Sequence, residues 1–125
     1  MTTVQHGSLT RERWAAFPRE QQVLMIANEM NRAAKLFGPA DLGRLRSGLE
    51  RVLALTDLTV GAQPGRGLRK ELLRWRDLIA ALYVSDRPSS AAHRAAFHAL
   101  LLLAPAAARQ IRHVLGGAGT GSGGG

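Results

Sequence analysis

The stretch that decides the fold is "RGLRKELLRWRDLIAALY", residues 66–83. At 100° per residue, Leu68, Leu72, Trp75, Leu78, Ile79 and Leu82 fall within an arc of roughly 120°. Arg66, Arg69, Lys70, Arg74 and Arg76 fall on the other side. That division predicts an amphipathic helix with an apolar inner face and a basic outer face. Trp75 belongs to the apolar arc, which assigns it to the core and not to a base-stacking platform. Turn chemistry bounds the segment: Pro64, Gly65 and Gly67 in "TVGAQPGRG" (59–67) before it, and "SDRPSS" (85–90) after it.

The flanking segments read the same way. Upstream, Leu42, Leu45, Leu49, Val52 and Thr56 step by three and four, a helical seam that Leu53 widens. That helix is predicted to start at Pro39 or Ala40. Gly43 and Gly48 lie inside it, each about 1 kcal/mol worse than Ala in a helix, and both are read as marks of close helix contact. Earlier still, Val23, Ile26, Met30, Ala33 and Phe37 repeat on one face, with Pro18 in the first turn and "GP" at 38–39 as the stop. "LTRERWAAF" (9–17) is a short leading helix capped by Thr10, with Trp14 and Phe17 docking on the rest. Downstream, Ser89 or Ser90 caps an Ala- and Leu-rich helix over 91–104, which Pro105 must kink or restart.

These elements define an all-α protein. With short connections, the economical architecture is an antiparallel up-down four-helix bundle with a short leading N-terminal helix. The bundle spans 10–115, between a flexible arm (1–9) and a Gly-rich tail (116–125) that carries no chemistry. The chain has 125 residues, enough for one domain with one core. It has no cysteine, which excludes disulfides, a thiol nucleophile and a Cys-based zinc site. The first residues hold no apolar core of signal-peptide length, and the longest apolar run, Ala99 to Ala108, is too short to span a bilayer. A soluble, cytoplasmic protein without a membrane partner is expected.

Charge is the loudest global feature. Seventeen basic residues, fifteen of them Arg, face nine acidic ones, for a net charge of +8. A surplus of this size favours polyanions by counterion release. Two segments concentrate it: the outer face of the 66–83 helix, diluted only by Glu71 and Asp77, and Arg109, Arg112 and His113, with no acid nearby in sequence. Arginine suits bidentate phosphate contacts. The candidate nucleic-acid-binding residues are therefore Arg66, Arg69, Lys70, Arg74, Arg76, Arg109 and Arg112.

Other chemistry finds little footing. His93 and His98 are five apart, off the three- or four-residue step of ligands on one helix face, so no metal or other cofactor is expected. "GAQPGRG" lacks the spacing and the Lys-Ser/Thr pair of a phosphate-binding loop. The acids are scattered, and no catalytic residue is assigned. Asp57, in the last apolar turn of its helix, would need a cationic partner if buried, plausibly an arginine of the 66–83 helix. Arg87 and His93 form R-x5-H, which resembles the R-x4-6-H motif of the HEPN ribonucleases; Pro88 stands where that family has a polar residue. That resemblance implies acid-base RNA cleavage using those two residues. A third reading is a structural helical adaptor without nucleic-acid binding, assembling through the apolar "AFHALLLLA" surface.

"IANEMNRAAKLFG", "LERVLALTDLTV" and "RGLRKELLRWRDLIAALYVSD" together resemble, in order and spacing, small bacterial four-helix-bundle proteins. These are the accessory variability proteins of diversity-generating retroelements and the proteins encoded in ribosomal RNA intervening sequences. The resemblance covers about residues 20–115. It implies a basic, non-catalytic homo-oligomer, a pentamer, that binds RNA or DNA. In the retroelement case it also implies a reverse transcriptase partner and mutagenic copying of a template RNA.

Overall fold

The computed structural model describes residues 10–62 and 65–105. Among them there are five α-helices and no strand: α1 (Arg11–Ala15), α2 (Arg19–Ala33), α3 (Leu42–Gly61), α4 (Arg66–Val84) and α5 (Ser90–Leu101), with a 3-10 turn at Pro39–Asp41 leading into α3. The arm 1–9, the tail 116–125, and Arg109, Arg112 and His113 lie outside the described residues.

Local chemistry explains the helix starts. Thr10 caps α1, its hydroxyl accepting from the Arg13 amide at 3.1 Å. Ser89 does the same for α5 through the Ala92 amide at 3.0 Å. Pro18 immediately precedes α2, and Pro39 opens the 3-10 turn. At the head of α4 stands Gly65, with φ of +108°, a conformation that a side chain would strain.

Side-chain contacts tie the long helices together, and those between α3 and α4 run in opposite chain order. Glu29 on α2 meets Arg51 on α3 at 3.2 Å. Asp57 and Glu50 on α3 meet Arg76 and Tyr83 on α4, both at 2.6 Å. The Trp75 indole of α4 donates to the Ala96 carbonyl of α5 at 2.7 Å, and a ring nitrogen of His93 donates to the Met30 carbonyl of α2 at 2.8 Å. The apolar stripes meet inside: Val23, Ile26, Met30, Leu45, Leu49, Val52, Leu72, Trp75, Ile79 and Leu100 are all buried. Full burial of one such large side chain stabilises the fold by about 1.5–3 kcal/mol before entropy is counted.

Several details differ from the sequence reading, each for a physical reason. α2 stops at Ala33, five residues before the "GP" signal, so Phe37 reaches the core edge from a connection and packs edge-on against His93 at 5.1 Å. α3 continues to Gly61 through the stretch expected to be loop. Thr59 is buried there, donating back to Leu55 and accepting from the Trp14 indole, and this tertiary contact holds the extra turn. Gly48 does mark a close approach, since a Cβ there would stand 3.4 Å from that of Ala33. Gly43 marks none; open space surrounds it. Leu78 sits at the rim of the apolar arc and is half exposed. α5 ends at Leu101, short of the expected 104, and Pro105 is again helical after that break, the restart that its missing amide hydrogen calls for.

Candidate functional site

The basic face of α4 is built by what anchors its inner face. Trp75 is fixed to Ala96 of α5, and Leu72, Ile79 and Leu82 are buried beside it. These contacts turn Arg66, Arg69, Lys70 and Arg74 outward, where all four are exposed. Arg74 stands 3.5 Å from Glu71, one turn back. Arg66, Arg69 and Lys70 form no ion pair among the described residues.

Arg76 is different. It reaches sideways into the α3–α4 seam and grips Asp57 with two bonds, Nε to Oδ1 at 2.6 Å and Nη2 to Oδ2 at 3.1 Å. The hydrogen bond to Asp57 is the main reason that its pKa is raised. The partner of Asp57 is thus an α4 arginine, as the sequence suggested, but the carboxylate is half exposed and the pair is a surface clasp. Its guanidinium faces that carboxylate and does not stand with the unpaired cations.

The fold adds two arginines that the sequence reading passed over. Trp14 docks α1 on the end of α3, its indole donating to Thr59 at 2.9 Å, and the Gln22 amide ties down the Trp14 and Phe17 carbonyls. This brings Arg11 beside Gly61 and Arg19 beside Gly65; each guanidinium lies 3.9 Å from where a Cβ would stand on its glycine. Arg11, Arg19, Arg66, Arg69 and Lys70 therefore share one end of the molecule. Glu12 and Glu20 are the nearby acids in sequence. No local signal in the chain could reveal this grouping, because it depends on α1 and α2 folding back against the α3–α4 turn.

One feature sharpens the electrostatics there. α4 has no acidic residue in its first turn and no side-chain cap. Its positive macrodipole end carries Arg66, an arrangement that costs the helix about 0.3–1 kcal/mol per misplaced charge.

The R-x5-H pair is split. His93 is buried, its Nε2–H on the Met30 carbonyl and its Nδ1 without a hydrogen-bond partner among the described residues. Desolvation lowers its pKa. Arg87 is exposed and lines a separate cavity with Leu36, Phe37 and Leu42, whereas His93 lines the groove between α2 and α5. The geometry offers RNA no accessible proton-transfer group at His93. Among the described residues, no three His, Asp or Glu side chains converge as a metal site. No helix among them is long and apolar enough to cross a membrane.

Fold and surface define an all-helical protein with five cations gathered at one end. No family model, curated protein or solved structure matches the chain.

Proposed function

We propose that the protein is a non-catalytic nucleic-acid-binding accessory protein, built as an antiparallel up-down four-helix bundle with a short leading helix. Its binding surface is the end that carries Arg11, Arg19, Arg66, Arg69 and Lys70. The carrying observation is that this grouping has no ion-pair partner among the described residues, and that the helix beneath it tolerates positive charge at its positive pole. A polyanion relieves both the mutual repulsion and the dipole conflict, and phosphate is the ligand that five clustered cations favour. Leu73, Leu78 and Val84, all exposed on α4, support homo-oligomer formation, the resemblance suggesting a pentamer. The same likeness supports a reverse transcriptase of a diversity-generating retroelement as the protein partner.

The test is equilibrium binding of a structured RNA across a salt series. Arg11→Gln with Arg19→Gln is expected to reduce the slope of log K against log salt by about 1.4–1.8, or 0.7–0.9 per lost phosphate contact. Arg76→Gln is expected to leave the slope unchanged, because Asp57 already neutralises that charge. A double variant with the wild-type slope removes the basic end as the binding surface. Failure to co-purify with a retroelement reverse transcriptase removes the partner assignment alone.

A further inference from the structure

The opposite end of the molecule holds a cavity of about 420 Å3. It lies roughly 28 Å from the basic end, counting 1.5 Å per residue along the 19 residues of α4. Two connections frame it. α2 ends early, so Leu36 and Phe37 hang in the link to the Pro39 turn; Leu42 and Leu45 of α3 form the floor; Pro88 closes the side from the α4–α5 link. The walls are apolar and the volume falls within the range of small-molecule sites, about 300–1,000 Å3.

The charges at the mouth do not cancel. Asp86 faces Arg46 at 3.7 Å, and Asp41, beside Gly38, faces Arg44 at 3.9 Å. Arg87 is left. It is exposed, lines the cavity and has no anionic partner among the described residues. Its backbone is held, the amide donating to the Ser85 hydroxyl at 3.1 Å. One unmatched guanidinium thus stands over an apolar hollow.

We propose that this cavity binds a small carboxylic acid with an apolar body, the carboxylate on Arg87 and the body over Leu42 and Leu45. A guanidinium presents paired N–H donors in a fork that fits a carboxylate. The apolar walls reject hydrophilic anions, which would lose hydration there without return. The single net positive charge at the mouth sets the sign of the ligand. This site is independent of nucleic-acid binding at the other end.

The experiment is titration of the full chain with octanoate, followed by calorimetry and by amide NMR, beside octan-1-ol and acetate. Octanoate is expected to bind saturably, about tenfold tighter than either comparison compound, the scale of one charge-assisted contact. Arg87→Gln should bring octanoate down to the level of octanol, while Arg32→Gln, exposed beside Glu29 and not lining the cavity, leaves it unchanged. Shifted amides should cluster at residues 36–45 and 86–88. Equal binding of octanoate and octanol, unaltered binding by the Arg87 variant, or shifts centred on the basic end would each overturn the assignment. So would binding of an acidic, leucine-bearing peptide in the same place with no binding of octanoate, since the occupant would then be a protein segment.

Discussion

Reversing the charge at the head of α4, as Arg66→Glu, Arg69→Glu and Lys70→Glu in one chain, separates the two effects argued for that surface. The three side chains are exposed and unpaired, so no buried contact is lost. Arg66 is the first residue of α4 and Arg69 completes its first turn, with the Arg69 amide bonded to the Gly65 carbonyl at 2.9 Å. Removing an unfavourable charge and installing a favourable one there is worth about 1–2 kcal/mol, from 0.3–1 kcal/mol per charge near the macrodipole. Lys70 lies past the first turn and adds little. The variant is therefore expected to melt a few degrees higher than the parent at low salt, where about 1 kcal/mol corresponds to several degrees in a domain of this size.

Its nucleic-acid binding is expected to move the other way. Five unpaired cations on duplex phosphates give a slope of about −4.5, so affinity falls about 500-fold between about 50 and 200 mM salt. With only Arg11 and Arg19 left, the slope is about −1.8 and the fall about 12-fold. Whatever the rest of the chain adds is common to parent and variant, so the difference of about 2.7 in slope is the quantity to measure. Thermal melting by circular dichroism and fluorescence anisotropy with a labelled hairpin RNA supply the two readings. A variant that melts lower refutes the dipole argument. One that melts higher yet keeps the parental slope refutes the binding surface.

Two further outcomes follow from the interior. His93 is held neutral between α2 and α5; Arg94 and His98 of α5, Asn31 of α2 and Phe37 share its groove, and no carboxylate lines it. Because burial lowers its folded pKa below the ordinary 6.5, stability is full above about pH 6.5 and falls as pH drops toward the folded value, where the unfolded chain binds the extra proton. Urea midpoints that do not decline between about pH 7.5 and about pH 5.5 would contradict that sign. The two helical glycines should part company: Gly43→Ala, in open space, should stabilise by about 0.8–1 kcal/mol, whereas Gly48→Leu should destabilise by about 1–3 kcal/mol as it drives into Ala33. Chemical denaturation of both variants checks this, and equal effects would show that the α2–α3 contact is not tight.

What the chain discloses about itself divides along the range of the forces. Periodicity reports which face of a helix is apolar, and caps such as Thr10 and Ser89 report where helices begin, because both act within a turn or two. Hence the long helices, the core assignment of Trp75 and the partner type of Asp57 were all readable. The same rule explains the misses. Gly43 and Gly48 look alike in sequence and differ only in whether Ala33 stands opposite. Leu78 keeps the right phase yet lies at the rim of its arc, where only the neighbouring helix decides burial. The five-cation grouping is the extreme case: Arg11 and Arg66 are 55 positions apart, and a stripe drawn along one helix puts Arg76 in and leaves Arg11 and Arg19 out. Folding redraws the surface as an end of the molecule. Arg76 leaves it because Asp57 is within 2.6 Å, while Arg11 and Arg19 enter because one indole hydrogen bond and one glutamine set the path of α1. Charge that acts over many ångströms is thus positioned by contacts that act over three. Mutating Trp14 or Gln22, which carry no charge, should therefore alter the salt response as well as the stability.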